Sequence, residues 1–114
     1  MSGISTHVLD QATGKPAAGI AVMLERKTHT AGWQKVGESI TDLDGRVKDL
    51  WPAGEVFLTG HYRLTFETGA YFLLRSTEAF FPQVTISFSV KELSQNYHVP
   101  LLLSPFGYST YRGS

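Results

Sequence analysis

Gln83-Val-Thr-Ile-Ser-Phe-Ser-Val90 (QVTISFSV) alternates without a break. Val84, Ile86, Phe88 and Val90 fall on one side, Thr85, Ser87 and Ser89 on the other. Successive side chains of a strand point to opposite faces, so this segment reads as a strand buried on one face and wet on the other. Its β-branched and aromatic residues suit a pleated surface. The same period recurs in IAVMLER (20–26), where Ile20, Val22 and Leu24 share a face. In HYRLTFE (61–67), Tyr62, Leu64 and Phe66 stand together with His61, Arg63 and Thr65 opposite. Glycine-bearing turns fall between these segments: ATGKPAAG, HTAGW, DLDGR and WPAGE. One short helix is predicted in TGAYFLLRS (68–76), with Thr68 as its cap and Tyr71, Leu74 and Arg75 at helical spacing. The pattern predicts an all-β fold, either a two-sheet sandwich or a small barrel.

Composition narrows the function. A length of 114 residues predicts a single domain, 1–114, with one modest core. Ten basic and ten acidic residues cancel and are interspersed, so the footprint of a nucleic-acid binder is missing. The expected partner is a small ligand or another protein. With no cysteine there is no disulfide, thiolate metal site or cysteine nucleophile. The start, MSGISTHVLD, has neither a basic region nor an apolar run of the kind a secretory signal carries. No apolar stretch approaches the ~20 residues of a membrane span. These features predict a soluble, cytoplasmic protein without membrane contact.

Four histidines, His7, His29, His61 and His98, are the natural candidates for proton transfer near neutral pH. His29 in KTHTAG reads as a solvated turn residue, and His61 as a surface group opposite an apolar row. His7, in STHVLD, and His98, in NYHVPLLL, sit beside apolar neighbours, where an imidazole serves either a satisfied interface or a site. Arg46 follows a glycine in TDLDGRV, and its planar donors suit a carbonyl or an oxyanion. Asp42 and Asp44 flank the same turn, where aspartate is favoured for local hydrogen bonds. Zinc is not expected: there is no His-x-His pair and no HExxH. A GxSxG nucleophile elbow is also missing. The tail SPFGYSTYRGS (104–114) is either a last strand or part of a site.

The tail is where the residues become specific. HVPLLLSPFGYSTYRGS, closing on Tyr111-Arg112-Gly113-Ser114, resembles the carboxyl-terminal signature of the 5-hydroxyisourate hydrolases, transthyretin-related enzymes of urate breakdown. STHVLDQATGKPA resembles that family's amino-terminal motif, TDLDGRV its arginine turn and FFPQVTISF one of its later strands. The matches run in order from Ser5 to Ser114. Gln83 and Phe106 depart from the family pattern, but outside the polar set.

The resemblance implies a transthyretin-like sandwich of two antiparallel sheets with one short helix. It also implies a homotetramer, a dimer of dimers, with sites in a channel between dimers and no cofactor or metal. It carries catalytic roles onto His7, Arg46, His98 and Ser114, and substrate contacts onto His7, Arg46, Tyr111 and Arg112. One histidine would activate water and the other would orient or protonate, in an order left open. Ser114 would act by its hydroxyl or by a terminal carboxylate. A straight last strand would put Arg112 and Ser114 on one face and Tyr111 on the other, unless Gly113 kinks the chain or two subunits contribute. The alternative is a small-ligand carrier on the same sandwich, which wants an apolar channel with few converging ionisable groups.

Overall fold

The alternating segment forms a strand in the computed structural model, which describes residues 3–52, 54 and 56–114. In chain order the elements are β1 (Gly3–Asp10), β2 (Lys15–Pro16), β3 (Ala21–Thr28), β4 (Gly32–Ile40), β5 (Arg46–Val47), β6 (Gly60–Phe66), α1 (Thr68–Leu73), β7 (Val84–Val90), β8 (Asn96–Ser104) and β9 (Gly107–Thr110). They make two sheets. One runs β2-β1-β8-β9 with β5 also paired to β1, and the other runs β4-β3-β6-β7. Both keep open edges, so the fold is a sandwich and the barrel alternative drops out. Ala53 and Glu55 of the WPAGE turn lie outside the described residues. No helix among the described residues is long and apolar enough to cross a membrane.

The alternating faces do what their period requires. Ile4 and Val8 of β1, with Val99, Leu101 and Leu103 of β8, turn inward and are buried. They meet Val22 and Leu24 of β3, Leu64 and Phe66 of β6, and Val84, Ile86 and Val90 of β7. Burying one such side chain contributes about 1.5–3 kcal/mol. Thr65 departs from its expected place opposite the apolar row: it is buried, with its hydroxyl 3.3 Å from that of Thr85.

Two expectations need correction. Among the described residues pairing is antiparallel except between β1 and β8, which run parallel from Gly3↔Asn96 to Asp10↔Leu103. Parallel neighbours need a long crossover, and the entire second sheet supplies it. The helix also differs. Its N-cap residue is Glu67, no side chain caps it, and Thr68 is already helical. Strand pairing reaches the Glu67 amide, which donates to Ala21 O at 3.0 Å, so Thr68 is carried inward and its buried hydroxyl finds no partner among the described residues. The buried face is Thr68, Tyr71 and Phe72. Leu74, expected on that face, is 83% exposed because the helix has already ended, and Arg75 lies over the Tyr71 ring at 3.7 Å.

Candidate active site

The outer face of the first sheet gathers the polar residues. In β1, Ile4, Thr6, Val8 and Asp10 point inward, which leaves Ser5 and His7 outward and half-buried. The parallel register sets Ser5 opposite His98 and His7 opposite Pro100, so both histidines occupy one face. On the other edge of β1, His7 pairs with Arg46. Three strands that are distant in sequence thus deliver two imidazoles and a guanidinium to neighbouring positions.

A tight turn presents the arginine. The Asp42 carboxylate accepts from the backbone amides of Asp44 at 2.9 Å and Arg46 at 3.0 Å. The bond from the Arg46 amide is the main reason the Asp42 carboxyl lies below its ordinary value. Gly45 closes the turn at φ +73°, and a Cβ there would lie 2.4 Å from Val8 O. Only glycine fits both the backbone conformation and the approach to β1. Asp42 therefore does the local work that its turn position suggested.

The tail docks against His98. Beyond β9, the Gly113 amide donates to His98 O at 2.8 Å, in a single antiparallel bridge. A Cβ on Gly113 would lie 2.6 Å from His98 Cδ2 and 3.2 Å from Pro100 Cγ. On the opposite edge of the same ring, Nδ1 is 2.8 Å from Ser5 Oγ. The imidazole is thus held edge-on between β1 and the tail. Its pKa lies below the ordinary histidine value, first because burial penalises the cation, then because Arg46 and His7 repel the proton. These surroundings favour the neutral imidazole, the form that can accept a proton.

Arg46, His98 and Ser114 line one cleft of about 320 Å³, with Ser5, Lys48 and Asp49 beside them. His7 sits next to it as the cross-strand partner of Arg46. Tyr111 and Arg112 instead line a groove of about 210 Å³ on the other side of His98. Arg112 lies over the Tyr97 ring at 4.6 Å and donates to Gln95 Oε1 at 2.7 Å. Arg112 and Ser114 therefore end in different clefts of the chain, contrary to the straight-strand expectation, because β9 stops at Thr110 and only Gly113 pairs again. His29 is exposed in a turn, and His61 is exposed with its Nδ1 3.0 Å from Ser89 Oγ. Among the described residues no cluster of three or more His, Cys, Asp or Glu gathers to hold a metal.

Ser5 and Lys48 are missing from the residues that the sequence picked out. Parity gave a partial signal for Ser5, since it stands two residues before His7 and so shares its face. Its pairing with a residue 93 positions away was not readable.

The HIUase/Transthyretin family profile matches residues 4–113. A 5-hydroxyisourate hydrolase of Caulobacter vibrioides is 49% identical over 118 aligned positions, covering 100% of both chains. The structure of Klebsiella pneumoniae 5-hydroxyisourate hydrolase superposes with a TM-score of 0.85 at 36% identity, covering 99% of this chain and 100% of that one. Sea bream transthyretin in complex with thyroxine superposes with a TM-score of 0.89 at 31% identity, covering 96% of this chain and 93% of that one.

Proposed function

The chain belongs to the HIUase/transthyretin family, and from that premise we infer that it is a 5-hydroxyisourate hydrolase. It acts in urate degradation, opening the six-membered ring of 5-hydroxyisourate to give 2-oxo-4-hydroxy-4-carboxy-5-ureidoimidazoline. The observation that carries the reading is the gathering of Arg46, His98 and Ser114 in one cleft beside His7. A carrier has no use for so many converging ionisable groups.

In the mechanism we favour, neutral His98 takes a proton from water as the oxygen bonds to the ring carbonyl carbon. The carbonyl electron pair moves onto oxygen, and Arg46 stabilises that oxyanion. Collapse breaks the carbon–nitrogen bond, and the leaving nitrogen takes up a proton from the histidine pair. Hydroxyl thus goes to carbon and hydrogen to nitrogen, which accounts for the whole water molecule. A positioned base is worth ~10²–10⁴ in rate, and one oxyanion donor ~10²–10³. His7 orients substrate beside Arg46, and Ser114 fixes the attacking water.

The working unit is a homotetramer, a dimer of dimers. Exposed Phe80 and Phe106 and the uncovered edge of β9 support that assembly. Within it, Tyr111 and Arg112 approach the substrate from a neighbouring subunit. Urate treated with urate oxidase yields 5-hydroxyisourate, whose ultraviolet absorbance then decays. The protein should hasten that decay, and equal rates with and without it would refute the reading.

A further inference from the structure

Ser5 has no role in the mechanism above, yet among the described residues it makes the one side-chain hydrogen bond to the His98 ring, at 2.8 Å. The opposite edge of that ring, Cδ2, faces Gly113 too closely for even a methyl group to intervene. A flipped ring would turn Nδ1 toward the tail's glycine and leave the Ser5 hydroxyl facing carbon, so the ring has one orientation. Nε2, bonded to Cδ2, is then the nitrogen on the Ser114 side.

A serine hydroxyl both donates and accepts, so the bond alone does not choose the tautomer. The role of base does: Nδ1 is engaged by the Ser5 hydroxyl, and the nitrogen left free, Nε2, must be bare to receive water's proton. We propose that Ser5 is a positioning residue, whose hydroxyl accepts from His98 Nδ1–H and so leaves Nε2 bare toward the cleft. This assignment rests on the reading of His98 as base and adds the group that makes the correct nitrogen available. No proton leaves Ser5 in the reaction, so it acts through His98 alone.

The test joins a spectroscopic and a kinetic measurement. Long-range proton–nitrogen correlation spectra of the assembled protein, with histidine ring nitrogens labelled, identify the protonated nitrogen of each ring. His98→Asn assigns the His98 signals. Wild type should show Nδ1–H and a bare Nε2 at neutral pH. Ser5→Ala should mix the tautomers and lower kcat about tenfold, the scale of one orienting hydrogen bond, with KM little changed. Ser5→Thr, which keeps the hydroxyl, should restore both. A wild-type ring protonated on Nε2, or a Ser5→Ala protein with unaltered tautomer and kcat, overturns the proposal. The wild-type spectrum needs no substrate and does not depend on the folding of Ser5→Ala. A protein that shows the expected tautomer but fails to hydrolyse 5-hydroxyisourate would sink the hydrolase reading and not the hydrogen bond.

Discussion

Replacing Gly113 by alanine adds one methyl group where the structure has no room. That carbon would lie 2.6 Å from His98 Cδ2, 3.2 Å from Pro100 Cγ and 3.3 Å from His98 Cγ. An ordinary carbon contact is about 3.5–4.0 Å, so roughly 1 Å of relief is needed. Overpacking of this kind costs about 1–3 kcal/mol. At Gly113 itself the tail is held by the bond from its amide to His98 O, worth about 0.5–1.5 kcal/mol net, with Arg112 held on Gln95 and Tyr97 beside it. The clash outweighs that local bond, so the backbone shifts at Gly113 or the ring turns. Both displace Ser114 relative to Nε2, and a misplacement near 1 Å costs ~10²-fold in rate. The core residues lie on the far side of β8, so the fold should be spared. Gly113→Ala should thus lower kcat/KM about 10²-fold in the absorbance assay while the midpoint of thermal unfolding barely moves. Wild-type turnover in this variant would show that the tail does not hold the ring, and the site geometry argued above would be wrong.

Four other outcomes are expected. The acid limb of kcat/KM should lie below the ordinary histidine value of 6.5, because burial, Arg46 and His7 all lower the His98 pKa; a limb above 6.5 would exclude His98 as the base. By linkage, the unfolded chain binds the His98 proton first, so this residue makes stability fall as pH drops through 6.5 toward the lower folded value, which urea titrations across that window would detect. Arg46→Gln should reduce kcat/KM ~10²–10³-fold and move the same limb upward, since a repelling charge has gone; loss of rate with an unmoved limb would separate Arg46 from His98. Tyr71→Phe removes the 2.8 Å bond from the Tyr71 hydroxyl to the buried Asp10 carboxylate and should cost about 1.5–3 kcal/mol in urea unfolding, without changing the pH profile.

Much of the scaffold was legible because period two is a local property. Val84, Ile86 and Val90 are buried as the alternation of residues 84–90 requires, and so are Ile20, Val22 and Leu24. The helix was legible in place but not in detail. Its length decides that Leu74 stays outside, and the strand that feeds it decides that Thr68 does not cap. The site itself was not legible from pattern. That His98 lies beside Ser5 and His7 depends on the register of a parallel pair far apart in sequence, which no local periodicity encodes. Residue type and pattern made His7, Arg46 and His98 candidates, and only the resemblance of the four motifs gave them roles. Arg112 shows the remaining gap: strand parity grouped it with Ser114, but once β9 ends, stacking on Tyr97 decides where it goes.

The parallel seam between β1 and β8 also dates the birth of the enzyme. The sheet β4-β3-β6-β7 uses only residues 21–90 and can zip up from neighbours along the chain. The catalytic sheet must wait until residues 96–104 return to the opening strand, a contact of high sequence separation and hence slow to form. During refolding from urea, sheet signal should return ahead of turnover, and activity should appear only with the final closure.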